Sequence, residues 1–533
     1  MTDLPNILLI VVDCARSDKW IGERRATKTP NLDRLCKEGV TFPTTIAEKS
    51  LTTPSFATLL TGLYSPRHGV HQVWGYRLDE NINMLTDILA ELGYHTYAEV
   101  SGPLLPEMGL NQGFDSYEYR APCDYLHTKW GDRFVERLHS RYYCEPWFLM
   151  LHLWELHVPS QTSSRYNRPE FGRDNYERAV SMLDVQLGRV FGAAGKNTLI
   201  IFTGDHGEKT AAETYQKGTA VTYTRNLLGI DEAEGPALYQ VASLAGPSVL
   251  QQLYAQFVTP MLKNINVRKS WQRPTFSKWA RFRDRLRLLR LTPRIFVQDL
   301  LAVNSPLKQT AMLSRRGLLD ETVSRRKVKR FLQSVGKDKA FDMLARMFIN
   351  SYKKNMHRGH AIHVYDFLVK VPLVLHWTGH LSGGAIHHRM IRFPDILPTV
   401  LDLIGVKQSN IGDIDGQSFK PLIEGKPWKP LPAYLSVSGV PSEFEMCGVR
   451  TEDYKYTYGP QNPELPEELY DLRQDPNEMH NLARGEPERC KELRQLLTSL
   501  LPDKGKVQVE RMTIDADQQQ RIEKHLRELG YID

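Results

Sequence analysis

The chain has 533 residues, 41% of them hydrophobic and 25% charged, a balance that builds a large core and excludes a mainly disordered polypeptide. At about 150 residues per domain the length suggests three or four units, but α/β folds with insertions run this long as one body, so one large domain with attachments is expected. The six cysteines, at 14, 36, 123, 144, 447 and 490, form no CxxC pair, which argues against a disulfide scaffold or zinc knuckle and fits a reducing cytoplasm.

The first apolar run, Ile7 to Val12, is far shorter than the ~20 residues of a membrane span, and no cleavable signal precedes it, so neither spanning nor secretion is expected. Within Asn6-Ile-Leu-Leu-Ile-Val-Val-Asp13, continuous apolar character ending in an acid predicts a central parallel strand buried on both faces. Asp13 then stands at a strand's carboxyl end, where open α/β sheets gather their functional residues. The segment Ser50-Leu-Thr-Thr-Pro-Ser-Phe-Ala-Thr-Leu-Leu-Thr-Gly62 predicts a helix with Pro54 at its first position and Gly62 at its end. A hydroxyl at such a start faces the positive end of the helix dipole, which favours an alkoxide and the anion it attacks. The plainer reading is that Thr52 or Thr53 only caps a backbone amide.

Amphipathic helices are expected at Met84 to Leu92 and Tyr176 to Phe191, and further buried strands at Pro146 to Glu155 and Asn197 to Asp205. Asp205-His206-Gly207-Glu208 follows the last of these directly, placing a carboxylate and an imidazole side by side where a divalent metal would accept both. Taken alone, that pair reads better as a hydrogen-bonded strand end. Strands alternating with helices predict an α/β fold with a doubly wound, mostly parallel sheet.

From 212 to 355 the pattern turns to polar, basic helices. Between Lys263 and Arg330 there are 19 basic residues against four acids, while the whole chain is only +7, so the remainder is net acidic. Arg281 to Arg290 sets Phe282, Leu286 and Leu289 on one helical face amid arginines. The stretch Arg281 to Arg294 therefore fits an anionic membrane surface, or else a solvated helical hairpin packed on the body. Nucleic acid is disfavoured because no recognised module interleaves aromatics with the charge. Val364 to Leu375 resumes a strand, and from about 395 short strand signals alternate with a charged helix at Glu488 to Leu501. The expected organisation is a catalytic core at 1–211 and 356–394, a helical basic insertion at 212–355, and a smaller α/β subdomain at 395–533 that completes the fold.

The combination of motifs resembles the sulfatase-like branch of the alkaline phosphatase superfamily. The carriers are Asp13-Cys-Ala-Arg-Ser-Asp18, Thr52-Thr-Pro-Ser-Phe-Ala-Thr-Leu-Leu-Thr-Gly-Leu-Tyr-Ser-Pro-Arg-His-Gly-Val70 and Phe202-Thr-Gly-Asp-His-Gly-Glu208, in order and at the right spacing. Val371-Pro-Leu, Asp395-Ile-Leu-Pro-Thr-Val-Leu-Asp-Leu-Ile-Gly405 and Glu468-Leu-Tyr-Asp-Leu-Arg-Gln-Asp-Pro-Asn-Glu-Met-His-Asn-Leu482 extend it, over residues 5–210 and 359 to about 500.

The resemblance implies a fold of alkaline phosphatase/sulfatase type and one divalent metal held by Asp13, Asp205, His206 and Thr52, with Thr52 as nucleophile. It also exposes departures. Sulfatases of this group place a Cys or Ser, converted to formylglycine, two residues before the proline and an Arg two residues after it; this chain has Thr52 and Phe56. A threonine cannot become that aldehyde, so no formylglycine is expected. Cys14 stands where the second acid of the usual pair would follow Asp13, and His206 where Asn is common. The set Asp, Thr, Asp, His is similar instead to phosphoryl-transferring relatives, such as phosphoethanolamine transferases and phosphodiesterases, in which the Thr hydroxyl attacks phosphorus.

By the same resemblance, His157 takes the place of a substrate-contacting histidine and His360 that of the late histidine before Val371-Pro-Leu. Either would protonate a leaving oxygen or bind the anion, unless it is a hydrogen-bonded structural histidine. His363 and His357 rank behind His360, Glu155 reads first as a surface or core-paired acid and second as a ligand of a second metal, and His68 supports the helix of Thr52 from behind. Zinc or manganese is expected over calcium, whose sites are normally all oxygen.

The leading expectation is a metal-dependent hydrolase or transferase that cleaves a phosphate ester or diester through a phosphothreonine intermediate. The alternatives are a sulfate ester hydrolase without formylglycine and a catalytically silent anion- or membrane-binding protein. The expected location is the cytoplasm, peripheral at a membrane if the basic segment docks there. Substrate choice is assigned to that insertion, which departs just after His206 and returns just before His360.

Overall fold

The computed structural model describes residues 4–23, 25–157, 160, 162–210, 363–407, 411–437, 446–460, 467–500 and 522. The basic segment with Arg281 to Arg294, and His357 and His360, lie outside the described residues.

The run Asn6–Val12 forms β1, every residue of it buried. It is the centre of a nine-stranded sheet completed by β2 (Val40–Ile46), β3 (His95–Val100), β4 (Ser116–Tyr119), β5 (Trp147–Leu153), β6 (Thr198–Gly204), β7 (Lys370–His376), β8 (Ala385–Ile386) and β9 (Ile391–Arg392). The order is β4-β3-β5-β1-β6-β7-β2-β8, with β9 also on β2. β1 pairs in parallel with β5 and β6, and Val12 stands in register with both Leu153 and Gly204. The residues that follow, Asp13 and Asp205, therefore emerge side by side at one carboxyl edge.

Side chains alternate across the strand, and β1 divides accordingly. Ile7, Leu9 and Val11 enter one core with Phe56, Leu59 and Leu60 of the helix Thr52–Thr61. Leu8, Ile10 and Val12 enter the other with Val180, Leu183 and Leu187 of the helix Asn175–Ala193. Apolar surface on both faces is what makes such a strand read as continuous rather than alternating. The helices expected at Met84 to Leu92 and Tyr176 to Phe191 are present as Leu85–Glu91 and Asn175–Ala193.

Val364 to Leu375 departs from the expected single strand. A helical turn, Asp366–Val369, precedes β7, with the amides of Leu368 and Val369 both donating to the Tyr365 carbonyl. β6 ends at the site edge and β7 begins there, which forces β7 to run antiparallel to β6 and to β2. The helix Ile396–Leu403 shares the core of the main sheet through Val400 and Leu401, together with Phe419.

Beyond it, β10 (Ala433–Val437), β11 (Met446–Arg450), β12 (Tyr454–Tyr458) and β13 (Glu468–Asp471) form a separate antiparallel sheet. The helix Pro487–Leu500 covers it, burying Cys490, Leu493 and Leu497 against Val449, Tyr456 and Leu469. All six cysteines are free, and no described helix is long and apolar enough to cross a membrane.

A buried charge cluster joins the two sheets. The Lys455 ammonium lies 2.6 Å from Asp366 and 2.7 Å from Glu478 and donates to the Val364 carbonyl, while Arg450 reaches both Asp366 oxygens. Burial pushes the Glu478 carboxyl up to about 7 against the pull of Lys455. Its folded pKa thus exceeds the ordinary 4.5, so its contribution to stability is complete below about pH 4.5 and is lost as pH rises through about 7. Urea unfolding across pH 5 to 8 is expected to show the wild type losing stability relative to Glu478→Gln; parallel pH profiles would contradict this assignment.

Candidate active site

The helix that carries Thr52 starts earlier than expected. Thr52 is its first residue and Leu51 its N-cap, without a side-chain cap, so Pro54 is third rather than first. Neither threonine caps the helix. Thr53 Oγ1 donates to the Val73 carbonyl at 2.9 Å, whereas Thr52 Oγ1 donates to Asp13 Oδ2 at 3.1 Å and stands 3.3 Å from His206 Nε2. The whole helix is buried, and it closes at Gly62 in the left-handed conformation. A hydroxyl is thereby fixed at the positive end of the helix and aimed at the strand ends.

The turn after β1 is pinned tightly. The Tyr176 hydroxyl donates to the Cys14 carbonyl and accepts from the Arg16 amide at 3.1 Å, while Cys14 takes a positive φ of 60°. That turn directs the Cys14 amide onto Asp205 Oδ1 at 3.0 Å, where the His206 amide also donates at 2.7 Å. The Cys14 thiol donates to Glu208 Oε2 at 3.6 Å, and burial with the neighbouring Asp13 raises its pKa well above the ordinary thiol range.

Asp13 and Asp205 are both fully buried, and Asp13 Oδ1 and Asp205 Oδ2 have no hydrogen-bond partner. Burial alone would raise the Asp13 carboxyl, but the imidazoles of His152, His157 and His206 outweigh it and hold Asp13 well below the carboxylate range. Burial, with Asp13 as an added negative neighbour, pushes Asp205 up. Two buried carboxylate oxygens side by side without a protein partner are satisfied by a cation or a proton.

His206 fits the first. Its Nδ1 lies 2.8 Å from the Gly207 carbonyl, which only accepts, so in the neutral ring Nε2 carries the lone pair beside Thr52 and 3.4 Å from Asp205 Oδ2. Among the described residues, ligand atoms gather within 4.8 Å of one another in two groups, Asp13 with Cys14 and His206, and Asp13 with His152 and Asp205. The residues present therefore fit a divalent metal with mixed oxygen and nitrogen donors.

The other expected residues fall around this centre. His157 is half-buried and stacked on Trp154 at 3.9 Å. Glu155 accepts from the Leu126 amide at 2.8 Å, the core-paired arrangement rather than a place in either ligand group. His68 is buried, accepts from the Val70 amide and lies 3.1 Å from Thr58 Oγ1, bracing the helix of Thr52, and burial holds its pKa well below the ordinary range. His363 Nε2 lies 3.1 Å from Glu468, and the His363 carbonyl accepts from Ser50 Oγ, which ties the loop before Thr52 to β13.

Two contributors escaped sequence reasoning. Glu48 accepts from Thr58, the Ser65 amide and hydroxyl, and Ser436, joining the helix of Thr52 to β10. His152 sits inside β5 with no exposure; a lone imidazole in Trp147-Phe-Leu-Met-Leu-His-Leu153 was the signal available.

Gly207 couples the metal turn to the returning chain. Its amide donates to the Leu368 carbonyl at 2.7 Å, and a Cβ there would stand 2.1 Å from the Phe367 carbonyl oxygen. Gly207→Ala is expected to cost about 1–3 kcal/mol and weaken metal binding. Gly192→Ala, in a helix with nothing within 4 Å of the added carbon, should leave melting unchanged or raise it. Equal calorimetric melting of the two variants would contradict the close approach.

Residues 5–231 match the family model described as "Sulfatase", and 361–505 match "N-sulphoglucosamine sulphohydrolase, C-terminal". An N-acetylglucosamine-6-O-sulfatase of Bacteroides thetaiotaomicron is 23% identical over 94% of this chain and 86% of its own length. A multifunctional alkaline phosphatase superfamily protein of Trinickia caryophylli is 41% identical over a shorter stretch, 17% of this chain and 18% of its own. Among solved structures, the phosphonate monoester hydrolase of Agrobacterium radiobacter superposes with a TM-score of 0.55 at 17% identity, covering 93% of this chain and 95% of that one. A 2-O GAG sulfatase does so with a TM-score of 0.55 at 16% identity, covering 97% and 96%. At these identities the structures establish a shared fold, and the two matched stretches, 5–231 and 361–505, make the chain similar in sequence to sulfatases over much of its length.

Proposed function

We propose that this protein hydrolyses an anionic sulfate ester in a metal-dependent reaction with Thr52 as nucleophile and without a formylglycine. The observation that carries the reading is Thr52 Oγ1, which forgoes capping its helix and meets Asp13 at 3.1 Å and His206 at 3.3 Å in a fully buried pocket. The relatives support a sulfate ester as the substrate, since several of them are sulfatases. This reverses the order expected from the motifs, which put phosphate esters first.

A divalent cation held by Asp13, Asp205, His206 and Thr52 would supply positive charge against a nonbridging substrate oxygen and ease ionisation of the Thr52 hydroxyl. Asp13 Oδ2 takes the Thr52 proton as the Oγ–S bond forms and the ester O–S bond breaks. His157, beside the site, protonates the departing alcohol oxygen. Water then attacks sulfur and gives a proton to His157, the Oγ–S bond breaks as Asp13 returns its proton to Thr52 Oγ1, and sulfate leaves. The buried walls exclude bulk water from the first step and keep its electrostatics strong.

A second reading keeps the machinery and replaces sulfur with phosphorus. Thr52 itself favours it, because a threonine hydroxyl makes a phosphoester that water can open without the aldehyde chemistry of formylglycine. The fold shared with a phosphonate monoester hydrolase agrees.

Turnover of nitrophenyl sulfate, phosphate monoester and phosphodiester by the metal-loaded protein separates the two. Sulfate turnover is expected to lead, to vanish on chelation, and to fall about 1000-fold or more in Thr52→Ala. Phosphodiester preference with the same Thr52 dependence would install the second reading, and full activity in Thr52→Ala would overturn both.

A further inference from the structure

We propose that His152 is an additional protein ligand of the metal, so that the site presents two imidazoles rather than one. The inference rests on the metal-dependent reading above and deepens it.

Strand periodicity places the residue. Along β5, Phe148 and Met150 enter the core that contains the nucleophile helix, and two-residue alternation carries His152 to the same face. Along β1, Ile7, Leu9 and Val11 face that way and lead to Asp13; along β6, Leu199 and Ile201 do so and lead to Asp205. His152 pairs with Val11, one step below the carboxyl edge. Three strands thus deliver Asp13, His152 and Asp205 to one point beneath Thr52, with ligand atoms within 4.8 Å of one another and all three residues buried.

The ring orientation is fixed from its far side. His152 Nδ1 lies 3.1 Å from the Ser101 carbonyl, an acceptor only, so Nδ1 donates. In the neutral ring this leaves a lone pair on Nε2, the arrangement usual for metal-bound histidine, whose other nitrogen is held by a carbonyl or carboxylate. Nε2 has no hydrogen-bond partner, and Asp13 Oδ2 stands 3.8 Å away. That gap is too long for a hydrogen bond. It suits two donors on one ion, since metal–donor bonds of about 2.0–2.2 Å set donors roughly 3–4.2 Å apart.

The ring is also walled in. Phe56 packs edge to face at 5.1 Å and Trp154 at 5.9 Å. Phe56 thus brings an uncharged ring against the imidazole. A second neutral nitrogen among two carboxylates shifts the site toward zinc-like ions and away from calcium.

X-ray absorption of the full-length protein loaded with zinc counts the imidazoles, and titration of the metal-free protein with zinc chloride gives affinity. The expected wild-type count is two, falling to one in His152→Gln with at least a tenfold loss of zinc affinity. One imidazole in the wild type overturns the proposal whatever the variant does. Unchanged affinity in a His152→Gln protein that melts, metal-free, at the wild-type temperature overturns it as well. Failure of the wild type to bind zinc or manganese at all would remove the metal-dependent reading too, and so distinguishes the two failures.

Discussion

Two carboxylates share one dry pocket, and the site is organised around that fact. Asp13 and Asp205 follow adjacent parallel strands in register, so the sheet itself sets them side by side. Each is fully buried, and each keeps an oxygen without a hydrogen bond. Burial of like charge is costly unless a cation or proton answers it. The backbone answers part of it, with the Cys14 and His206 amides both on Asp205 Oδ1. The proposed metal would answer the remainder, and two imidazoles stand in the same space.

Presenting a hydroxyl to that charge takes the rest of the fold. The nucleophile helix is buried along its length and braced from behind by His68 and Glu48. Glu48 extends the brace to Ser436 on β10, and His363 extends it from Ser50 to Glu468 on β13. The antiparallel subdomain is therefore mechanically continuous with the catalytic turn. Its cluster of Asp366, Arg450, Lys455 and Glu478 fixes the returning helical turn whose backbone presses on Gly207. Stability of that cluster and geometry of the site are linked through this one close approach.

Much of this was legible in the sequence, for identifiable reasons. Apolar runs such as Ile7 to Val12 announce strands buried on both faces, and the acids that end them mark the site. Asp13, Thr52, Asp205 and His206 stand out because their neighbours form long motifs, and the structure brings the four together. The start of the helix was misplaced because Pro54 signals a first position, whereas the Ser55 amide already donates to the Leu51 carbonyl, so the helix begins two residues before the proline. The turn before β7 was hidden because its apolar residues, Leu368 and Val369, serve a buried helix as well as a strand. His152 was passed over because one polar residue in an apolar strand carries no spacing signal. Its meaning comes from Val11, Asp13 and Asp205 on neighbouring strands.

The central claim is that one cation sits among these buried groups and touches the nucleophile. Anomalous diffraction at the zinc or manganese edge, from crystals grown with either metal, tests it most directly. A single strong peak within bonding distance of Asp13, Asp205, His206 and Thr52 Oγ1 is the result this account predicts. Fully loaded crystals with the peak elsewhere, or with Thr52 turned away from it, would contradict the account.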